Sequence, residues 1–195
     1  MITIIDYGSG NICSVENALS RLGAEYELTA DPARILQADK VILPGVGNAA
    51  AAMENLREKG LCEVVRSIRR PVLGICVGMQ LMCRSSEEGP VSCLGIFDTE
   101  VKRFVETPDA KVPHMGWNSL GNTEGKLFKG LPKESFVYFV HSYYAGLCPD
   151  TIAVCSHGGV MFSAALRYEN FYGTQFHPEK SGTAGELILS NFLAL

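Results

Sequence analysis

The chain lacks several features that would place it in a specialised class of protein. Its seven cysteines include no Cys-x-x-Cys pair, and their odd number argues against a disulfide framework or a zinc site. No apolar run reaches membrane-spanning length. The first residues, 1–6, carry no basic flank of the kind that opens a signal peptide. We therefore expect a cytoplasmic protein that uses no metal and no other cofactor.

Clustered positive charge is also scarce. The chain has 17 Lys and Arg against 21 Asp and Glu, which gives a net charge of −4. Its basic pairs, Arg69-Arg70 and Lys102-Arg103, are too short to form a nucleic-acid surface. A length of 195 residues with 47% hydrophobic residues suits one substantial core. We expect a single domain over residues 1–195 with neither a nucleic-acid nor a membrane partner.

Predicted strands and helices alternate through the first half of the chain. Val15, Ala18, Leu19 and Leu22 share one helical face, and Asp31-Pro32 is typical of a helix start. Strands are predicted at 2–5, 26–28, 41–43 and 71–75, and helices at 15–22, from 32, and at 49–59. This alternation predicts a doubly wound sheet with a parallel core.

The second half is richer in strands. Strands are predicted at 99–104, 136–140, 152–155, 162–166 and 171–176, and a closing helix at 183–192. The expected fold class is therefore α/β: a single doubly wound domain with a mostly parallel central sheet, helices on both faces, and an added antiparallel portion in the second half.

Cys76 lies in the most informative segment. It follows the apolar run 71–75, precedes a predicted helix, and has Gly74 and Gly78 two residues to either side. A nucleophile on such a strand-to-helix turn is a nucleophile elbow, here with sulfur in place of a serine oxygen. The following helix N-terminus favours the thiolate, and the Val77 N–H is placed to donate to an oxyanion. The competing interpretation is a small buried hydrophobic residue.

His-Pro-Glu at 177–179 supplies a candidate base and the group that orients it. The residue before a proline is usually extended, and residues i and i+2 of an extended segment point to the same side. His177 and Glu179 are therefore predicted to project together from the end of the strand at 171–176. The carboxylate would hold the imidazole and stabilise its charged form. Taken alone, the tripeptide also fits a surface loop.

The segments 74–80 and 177–179 together resemble the class I glutamine amidotransferases, a family with a Cys-His-Glu triad. Within that family the chain is similar to the glutaminase subunits of imidazole glycerol phosphate synthase. The motifs that carry this resemblance are DYGSGN at 6–11, PGVG at 44–47, PHMGWN at 113–118 and YFVHSY at 138–143. The resemblance extends from residue 1 to about residue 192.

This resemblance implies hydrolysis of the glutamine side-chain amide. Cys76 would attack the amide, and His177, oriented by Glu179, would protonate the departing ammonia and then activate water against a glutamyl thioester. A peptide flip in the loop 45–47 would gate the site. The implied oxyanion hole consists of Val46, Gly47 and Val77.

The resemblance also implies which residues contact glutamine and the partner. The implied substrate-binding residues are Gly45, Gln80, Glu88, Ser142 and Tyr143. The implied partner is a (β/α)8-barrel cyclase that receives the ammonia in a heterodimer and makes imidazole glycerol phosphate. The implied interface residues are Asn11, Trp117, Tyr138 and Lys180. From the residues alone, Gln80 also fits a solvated helix position, Glu88 an exposed acidic loop, and Trp117 a core position.

Several interpretations compete with this one. The glutaminase could serve another synthase, such as those that make anthranilate, GMP or pyridoxal phosphate, although their oxyanion loops tend to carry Gly-Gly and PGVG does not. A cysteine deglycase or peptidase on a similar fold would not be expected to carry the late His-Pro-Glu. A non-catalytic subunit would be expected to lack a triad member. No catalytic role is assigned to His114 or His141, and a surface turn is predicted at His157.

Overall fold

The computed structural model describes residues 1–8, 10, 12–108 and 110–195. Its helices and strands are β1 (Ile2–Ile5), α1 (Ile12–Arg21), β2 (Tyr26–Thr29), α2 (Pro32–Gln37), β3 (Lys40–Leu43), α3 (Ala49–Glu58), α4 (Leu61–Ser67), β4 (Val72–Ile75), α5 (Val77–Leu81), β5 (Ser85–Ser86), β6 (Val91–Ser92), β7 (Glu100–Arg103), β8 (His114–Ser119), β9 (Phe136–His141), β10 (Tyr143–Ala145), β11 (Thr151–His157), β12 (Val160–Tyr168), β13 (Phe171–Thr174) and α6 (Gly182–Leu193). Short 3₁₀ helices cover Lys126–Phe128 and Pro178–Lys180.

The central sheet has seven strands in the order β11-β12-β13-β4-β3-β1-β2. Strands β2, β1, β3, β4 and β13 run parallel to one another. Strand β12 is antiparallel to β13, and β11 is antiparallel to β12. The prediction of a mostly parallel sheet with an added antiparallel portion is confirmed.

The order of the strands explains the burial of the sheet and the placement of its helices. The chain moves from β1 outward to β2 and then back across β1 to β3 and β4. Because parallel crossovers are right-handed, this reversal places α1 on one face and α2 and α3 on the other. An ion pair from Arg21 of α1 to Glu186 of α6 places α6 beside α1. Covered on both faces, β1, β4 and β13 are buried at every residue.

The second half departs from the sequence prediction in its detail. Of the predicted strands, those at 99–104 and 136–140 lie outside the central sheet. Strand β7 belongs to a four-stranded sheet of order β10-β7-β5-β6, and β9 pairs with β8 in an antiparallel ribbon. The surface turn predicted in the segment 156–159 is present at the exposed pair Gly158-Gly159. His157 itself is the last residue of β11, and its ring stacks on His114 with centroids 4.3 Å apart.

The helices are short. The longest of them, α6, has 12 residues, and none in the described part of the chain combines the length and the hydropathy needed to cross a bilayer.

Candidate active site

Three neighbouring strands of the central sheet lead to the predicted triad and the predicted oxyanion loop. Strands β3, β4 and β13 are adjacent and parallel. The loop 44–47 follows β3, Cys76 follows β4, and His177 lies three residues beyond β13. Because parallel strands end at one edge of a sheet, these segments meet at the carboxyl edge, where doubly wound folds bind their ligands.

Cys76 occupies a strained backbone position between β4 and α5. Its φ is 53° and its ψ is −110°, a conformation that residues other than glycine rarely adopt. Its N–H donates to the Thr174 carbonyl at 2.7 Å, and its carbonyl accepts from the Gln80 N–H at 3.1 Å. The side chain is almost buried, with 4% exposed. This geometry is that of a nucleophile elbow.

The elbow requires glycine because the backbone of β3 passes close to it. A Cβ at Gly78 would lie 1.9 Å from the Leu43 carbonyl oxygen, and one at Gly45 would lie 2.4 Å from the Gly78 nitrogen. No side chain fits at either position. The loop after β3 is therefore packed directly against the turn that carries Cys76.

His177 and Glu179 form a buried pair. His177 Nδ1 lies 2.7 Å from Glu179 Oε1, and both side chains are almost fully buried. The predicted route to this pair, through an extended segment, is wrong. His177 itself is extended, but Pro178–Lys180 forms a 3₁₀ turn, and it is this turn that folds the carboxylate back onto the imidazole.

The pKa of His177 reflects both its burial and its partners. Burial by itself lowers this pKa, but the neighbouring Cys76 sulfur and Glu179 carboxylate outweigh burial and raise the pKa to about 10. Nε2 of His177 is buried and makes no hydrogen bond among the described residues. The imidazolium is therefore stabilised between a sulfur and a carboxylate, with Nε2 free to exchange a proton with a bound reactant.

A cavity of about 460 Å³ opens above Cys76, a volume suited to a small polar ligand. Its lining residues are Val46, Gly47, Cys76, Val77, Gln80, Glu88, Pro113, Val140, His141, Ser142, Tyr143, His177 and Lys180. The structure thus brings together the predicted nucleophile and base with most of the residues predicted to form the oxyanion hole and to bind substrate. Gly45 does not line this cavity and lies behind it, against the elbow backbone.

Hydrogen bonds hold the loop after β3 at both ends. At its start, the Tyr7 hydroxyl donates to the Pro44 carbonyl at 2.7 Å. At its end, Asn48 caps α3, and Glu88 Oε2 accepts from the Ala49 N–H at 2.8 Å. Gly47 lies between them with a φ of +89° and open space around its Cα. The loop is therefore anchored at both ends, and between them Gly47 adopts a backbone conformation that favours glycine.

The carboxyl group of Glu88 also has a shifted pKa. Burial raises the pKa of its carboxyl, and the bond from the Ala49 N–H opposes this shift. A carboxylate that lines the cavity in partly dry surroundings is suited to accept a substrate ammonium group.

Gln175 is a site residue that the sequence reasoning missed. It is fully buried, and its Nε2 lies 3.7 Å from Cys76 Sγ. Gln80 Nε2 donates to Gln175 Oε1 and to the Tyr143 carbonyl, both at 2.9 Å. The sequence signal is its spacing: Gln175 lies two residues before His177, just beyond the strand that ends beside β4.

His141 and His114 form a second buried polar pair beside the cavity. His114 Nδ1 lies 2.9 Å from His141 Nε2, and His141 Nδ1 lies 2.7 Å from the Tyr143 carbonyl. That carbonyl only accepts, so His141 carries its proton on Nδ1 and accepts from His114. Burial, with the neighbouring histidine charges, lowers the pKa of His114 to about 4 and that of His141 to about 3. Both rings are neutral at pH 7.

The residues predicted to contact a partner fall into two groups. Trp117 and Tyr138 face each other across the β8–β9 ribbon with ring centroids 6.1 Å apart, and Trp117 is 56% exposed. The alternative of a core position for Trp117 is wrong. Lys180 lines the cavity. Asn11 lies outside the described residues.

An elbow cysteine facing a buried imidazole–carboxylate pair at the carboxyl edge of an α/β sheet defines a triad-type cysteine enzyme. The chain belongs to the class-I glutamine amidotransferase family, whose model matches residues 3–195.

Relatives agree with this assignment, and a solved structure shares the fold. The chain is 55% identical to the imidazole glycerol phosphate synthase subunit HisH of Bacteroides thetaiotaomicron over 100% of this chain and 99% of that protein. It is 46% identical to the subunit HisH of Yersinia pseudotuberculosis over the same shares. A putative GMP synthase protein from Thermoplasma acidophilum superposes with a TM-score of 0.76 at 24% identity, over 99% of this chain and 92% of that one. At that identity, the likeness concerns the fold alone.

Proposed function

We propose that this chain is the glutaminase subunit of an imidazole glycerol phosphate synthase and acts in histidine biosynthesis. The observation that carries the proposal is the cavity in which Cys76 faces the buried His177–Glu179 pair. Full-length relatives named as this subunit support the particular synthase. A continuous core supports a single amidotransferase domain over residues 1–195.

The proposed reaction begins with attack of the Cys76 thiolate on the side-chain amide carbon of glutamine. The carbonyl oxygen takes on negative charge and is held by N–H groups of Val77 and of Val46 or Gly47. His177 gives its proton to the departing nitrogen, the C–N bond breaks, and ammonia leaves while a glutamyl thioester remains on Cys76. His177 then takes a proton from water, the hydroxide attacks the thioester, and glutamate leaves as the thiolate re-forms.

Residues on the cavity wall are suited to hold the rest of the substrate. Gln80 uses its Nε2 internally, and its Oε1, which has no hydrogen-bond partner among the described residues, is able to accept from the substrate ammonium. Glu88 offers a carboxylate to the same group. Ser142 and Tyr143, in the loop and strand after β9, close the opposite wall. Gly45 contributes by holding the loop against the elbow.

The β8–β9 ribbon supports the proposed partner. Met115, Trp117 and Phe136 are all exposed, and with Tyr138 they share one face because their positions alternate and pair across the ribbon. Exposed apolar clusters of this kind mark protein interfaces. This face, with Lys180 in the lining of the cavity, would seal against a (β/α)8-barrel cyclase so that ammonia passes without meeting bulk water. The seven cysteines of the chain are all free, which fits a reducing cytoplasm as the location of the protein.

An electrophilic glutamine analogue tests the chemistry without the partner. 6-Diazo-5-oxo-L-norleucine should label Cys76 alone, as read by peptide mass mapping, and an excess of glutamine should protect it. His177→Ala should slow labelling by about 10²-fold or more, because the base is lost. The matched control is Cys62→Ser, which should label at the wild-type rate. Labelling spread over several cysteines, without protection by glutamine, would refute the assigned site.

Binding to the cyclase tests the interface. Trp117→Glu should weaken the complex measured by titration calorimetry by about 30-fold or more, since a buried aromatic anchor is typically worth at least 2 kcal/mol. Met161→Glu is the matched control, because Met161 is equally exposed but lies on β12. Equal affinities for both variants would show that the ribbon is not the interface.

A further inference from the structure

We propose that Gln175 is a catalytic residue whose side-chain N–H donates to the Cys76 sulfur and stabilises the thiolate. This role deepens the proposed function and rests on Cys76 as its nucleophile. The geometry that points to it is the 3.7 Å separation between Gln175 Nε2 and Cys76 Sγ, a normal length for a hydrogen bond to the larger sulfur atom.

The position of Gln175 leaves its amide no solvent partner. Its side chain is 0% exposed, and its backbone N–H is bonded to the Ala164 carbonyl at 2.8 Å. A buried amide is costly unless its donors and acceptors are satisfied within the protein. Among the described residues, the sulfur of Cys76 is the acceptor that faces its Nε2. A glutamine kept in this dry position is best explained by the group that it faces.

The orientation of the Gln175 amide follows from a backbone carbonyl. The Tyr143 carbonyl oxygen can only accept, so Gln80 must turn its Nε2 toward it. That same Nε2 also meets the Gln175 side chain, which must present its oxygen. The other end of the Gln175 amide, the nitrogen, therefore faces Cys76. The Tyr143 carbonyl thus fixes the direction of both amides, and Gln175 is the donor to the sulfur.

The proposed bond favours the charged sulfur. A hydrogen bond to the ionised form of a group stabilises that form, and bonds to charged acceptors are stronger than neutral ones. The bond is strongest when sulfur is a thiolate: before attack, and again when the thioester C–S bond breaks and its electron pair returns to sulfur. The charge that His177 places beside the sulfur acts in the same direction.

The test is the pH dependence of Cys76 alkylation by iodoacetamide in the full-length chain. Peptide mass mapping separates Cys76 from Cys13, whose exposed thiol serves as an internal reference in every sample. Other titratable groups line the same cavity and are shared by all variants: His177, Glu88, His141, Tyr143 and Lys180. Glu179, which is paired with His177, is shared as well. Gln175→Met removes the donor and keeps the length of the side chain.

The matched control is Thr174→Val. Thr174 is the neighbouring buried residue, and its Oγ1 has no hydrogen-bond partner among the described residues, so valine removes a hydroxyl beside the site without touching the sulfur. We expect Gln175→Met to raise the pH midpoint of Cys76 alkylation by about one unit, or to slow alkylation about tenfold below the midpoint. The pH midpoint of Cys76 alkylation should be unchanged in Thr174→Val, and the alkylation of Cys13 should be the same in every variant. An unchanged midpoint in a folded Gln175→Met protein would overturn the proposal.

A second measurement needs no change at Gln175. In ¹⁵N-labelled protein, the side-chain amide protons of Gln175 should shift between the wild type and Cys76→Ala, because the acceptor is lost. No shift would overturn the proposal even if Gln175→Met did not fold. Neither measurement uses glutamine or the partner. Failure of the glutaminase assignment would therefore leave these results intact, and failure here would leave the triad in place.

Discussion

The backbone N–H of His177 donates to the carbonyl oxygen of Tyr138 at 2.9 Å. Tyr138 in turn donates its own N–H to Ser181 Oγ at 2.9 Å, and that hydroxyl donates to the His177 carbonyl at 2.6 Å. The backbone of the proposed base is therefore bonded to the ribbon whose exposed face we assign to the partner. A shift of the ribbon on binding would reach His177 directly through the Tyr138 carbonyl and also by way of the Ser181 hydroxyl.

Ser181→Ala should loosen this connection. The loss leaves the partly buried Tyr138 N–H without its acceptor, so we expect the free energy of unfolding to fall by about 1–3 kcal/mol. The turnover of glutamine by the complex should fall as well. Denaturant unfolding and glutamate release provide the measurements. Ser20→Ala, at an exposed helix position, should stay within about 0.5 kcal/mol of wild type; equal effects at the two serines would contradict the connection.

Glu179→Gln should lower the pKa of His177. In the wild type this pKa is raised to about 10, against 6.5 for an ordinary histidine, and the Glu179 carboxylate is one of the causes. Because the raised pKa belongs to the folded state, the contribution to stability is full below about pH 6.5 and is lost as the pH rises toward 10.

NMR titration of the His177 ring checks this expectation directly. The stability advantage of the wild type over Glu179→Gln should also shrink between pH 6.5 and 10. A His177 ring that titrates at the same pH in both proteins would mean that the carboxylate does not stabilise the imidazolium.

The His114–His141 pair should make the fold sensitive to acid. The pKa of each histidine is lowered, to about 4 and about 3, from an ordinary 6.5. Between these pKa values the unfolded chain binds protons that the folded chain does not bind. The free energy of unfolding that is present above pH 6.5 is therefore lost as the pH falls toward 3. Each histidine contributes a slope of about 1.4 kcal/mol per pH unit between its folded and its ordinary pKa.

His141→Gln isolates this contribution, because glutamine keeps an amide in place of the ring without titrating. Between pH 6 and pH 4.5, the free energy of unfolding should depend on pH less steeply than in the wild type, by about 1.4 kcal/mol per pH unit, the slope for one proton. His157→Gln, at the partly exposed ring stacked on His114, is the comparison. An unchanged slope in His141→Gln would show that His141 is protonated in the folded chain.

Gly78→Ala should be among the most damaging single substitutions in the chain. The new methyl group would lie 1.9 Å from the Leu43 carbonyl oxygen, so β3 and the elbow would have to separate. We expect a loss of more than about 4 kcal/mol. Gly23→Ala meets open space but has a φ of +67° and should lose about 1–2 kcal/mol. Thermal unfolding of the two variants gives the comparison, and similar losses would contradict the close approach.

Much of the fold was predictable because its signals are local. The first strands and helices follow from apolar runs and caps, and Asp31 caps α2 through the Ala33 N–H as its sequence position indicates. Helix α4 escaped prediction because its first turn directly follows α3 across Gly60. Strand β8 escaped because its alternation includes His, Gly and Asn, which become strand residues only when paired with β9.

The site residues also divide into those with a local sequence signal and those without one. Cys76 stood out because glycines two residues away on each side are a local signature. Gln175 and the His114–His141 pair did not, because their partners lie on distant segments: Gln175 meets Cys76 across 99 positions. The 3₁₀ turn that joins His177 to Glu179 produced the predicted pair by a different route, since proline constrains the residue before it but also opens a helical turn.

Release of glutamate from glutamine is the measurement that tests the central claim most directly. It should be made with the chain alone, with the barrel cyclase, and with the cyclase plus its nucleotide substrate, each beside Cys76→Ala. The account predicts weak hydrolysis by the chain alone, a steep rise with the cyclase and its substrate, and loss of all activity in Cys76→Ala. Strong hydrolysis that ignores the cyclase would contradict the assigned complex, and activity that survives Cys76→Ala would contradict the site itself.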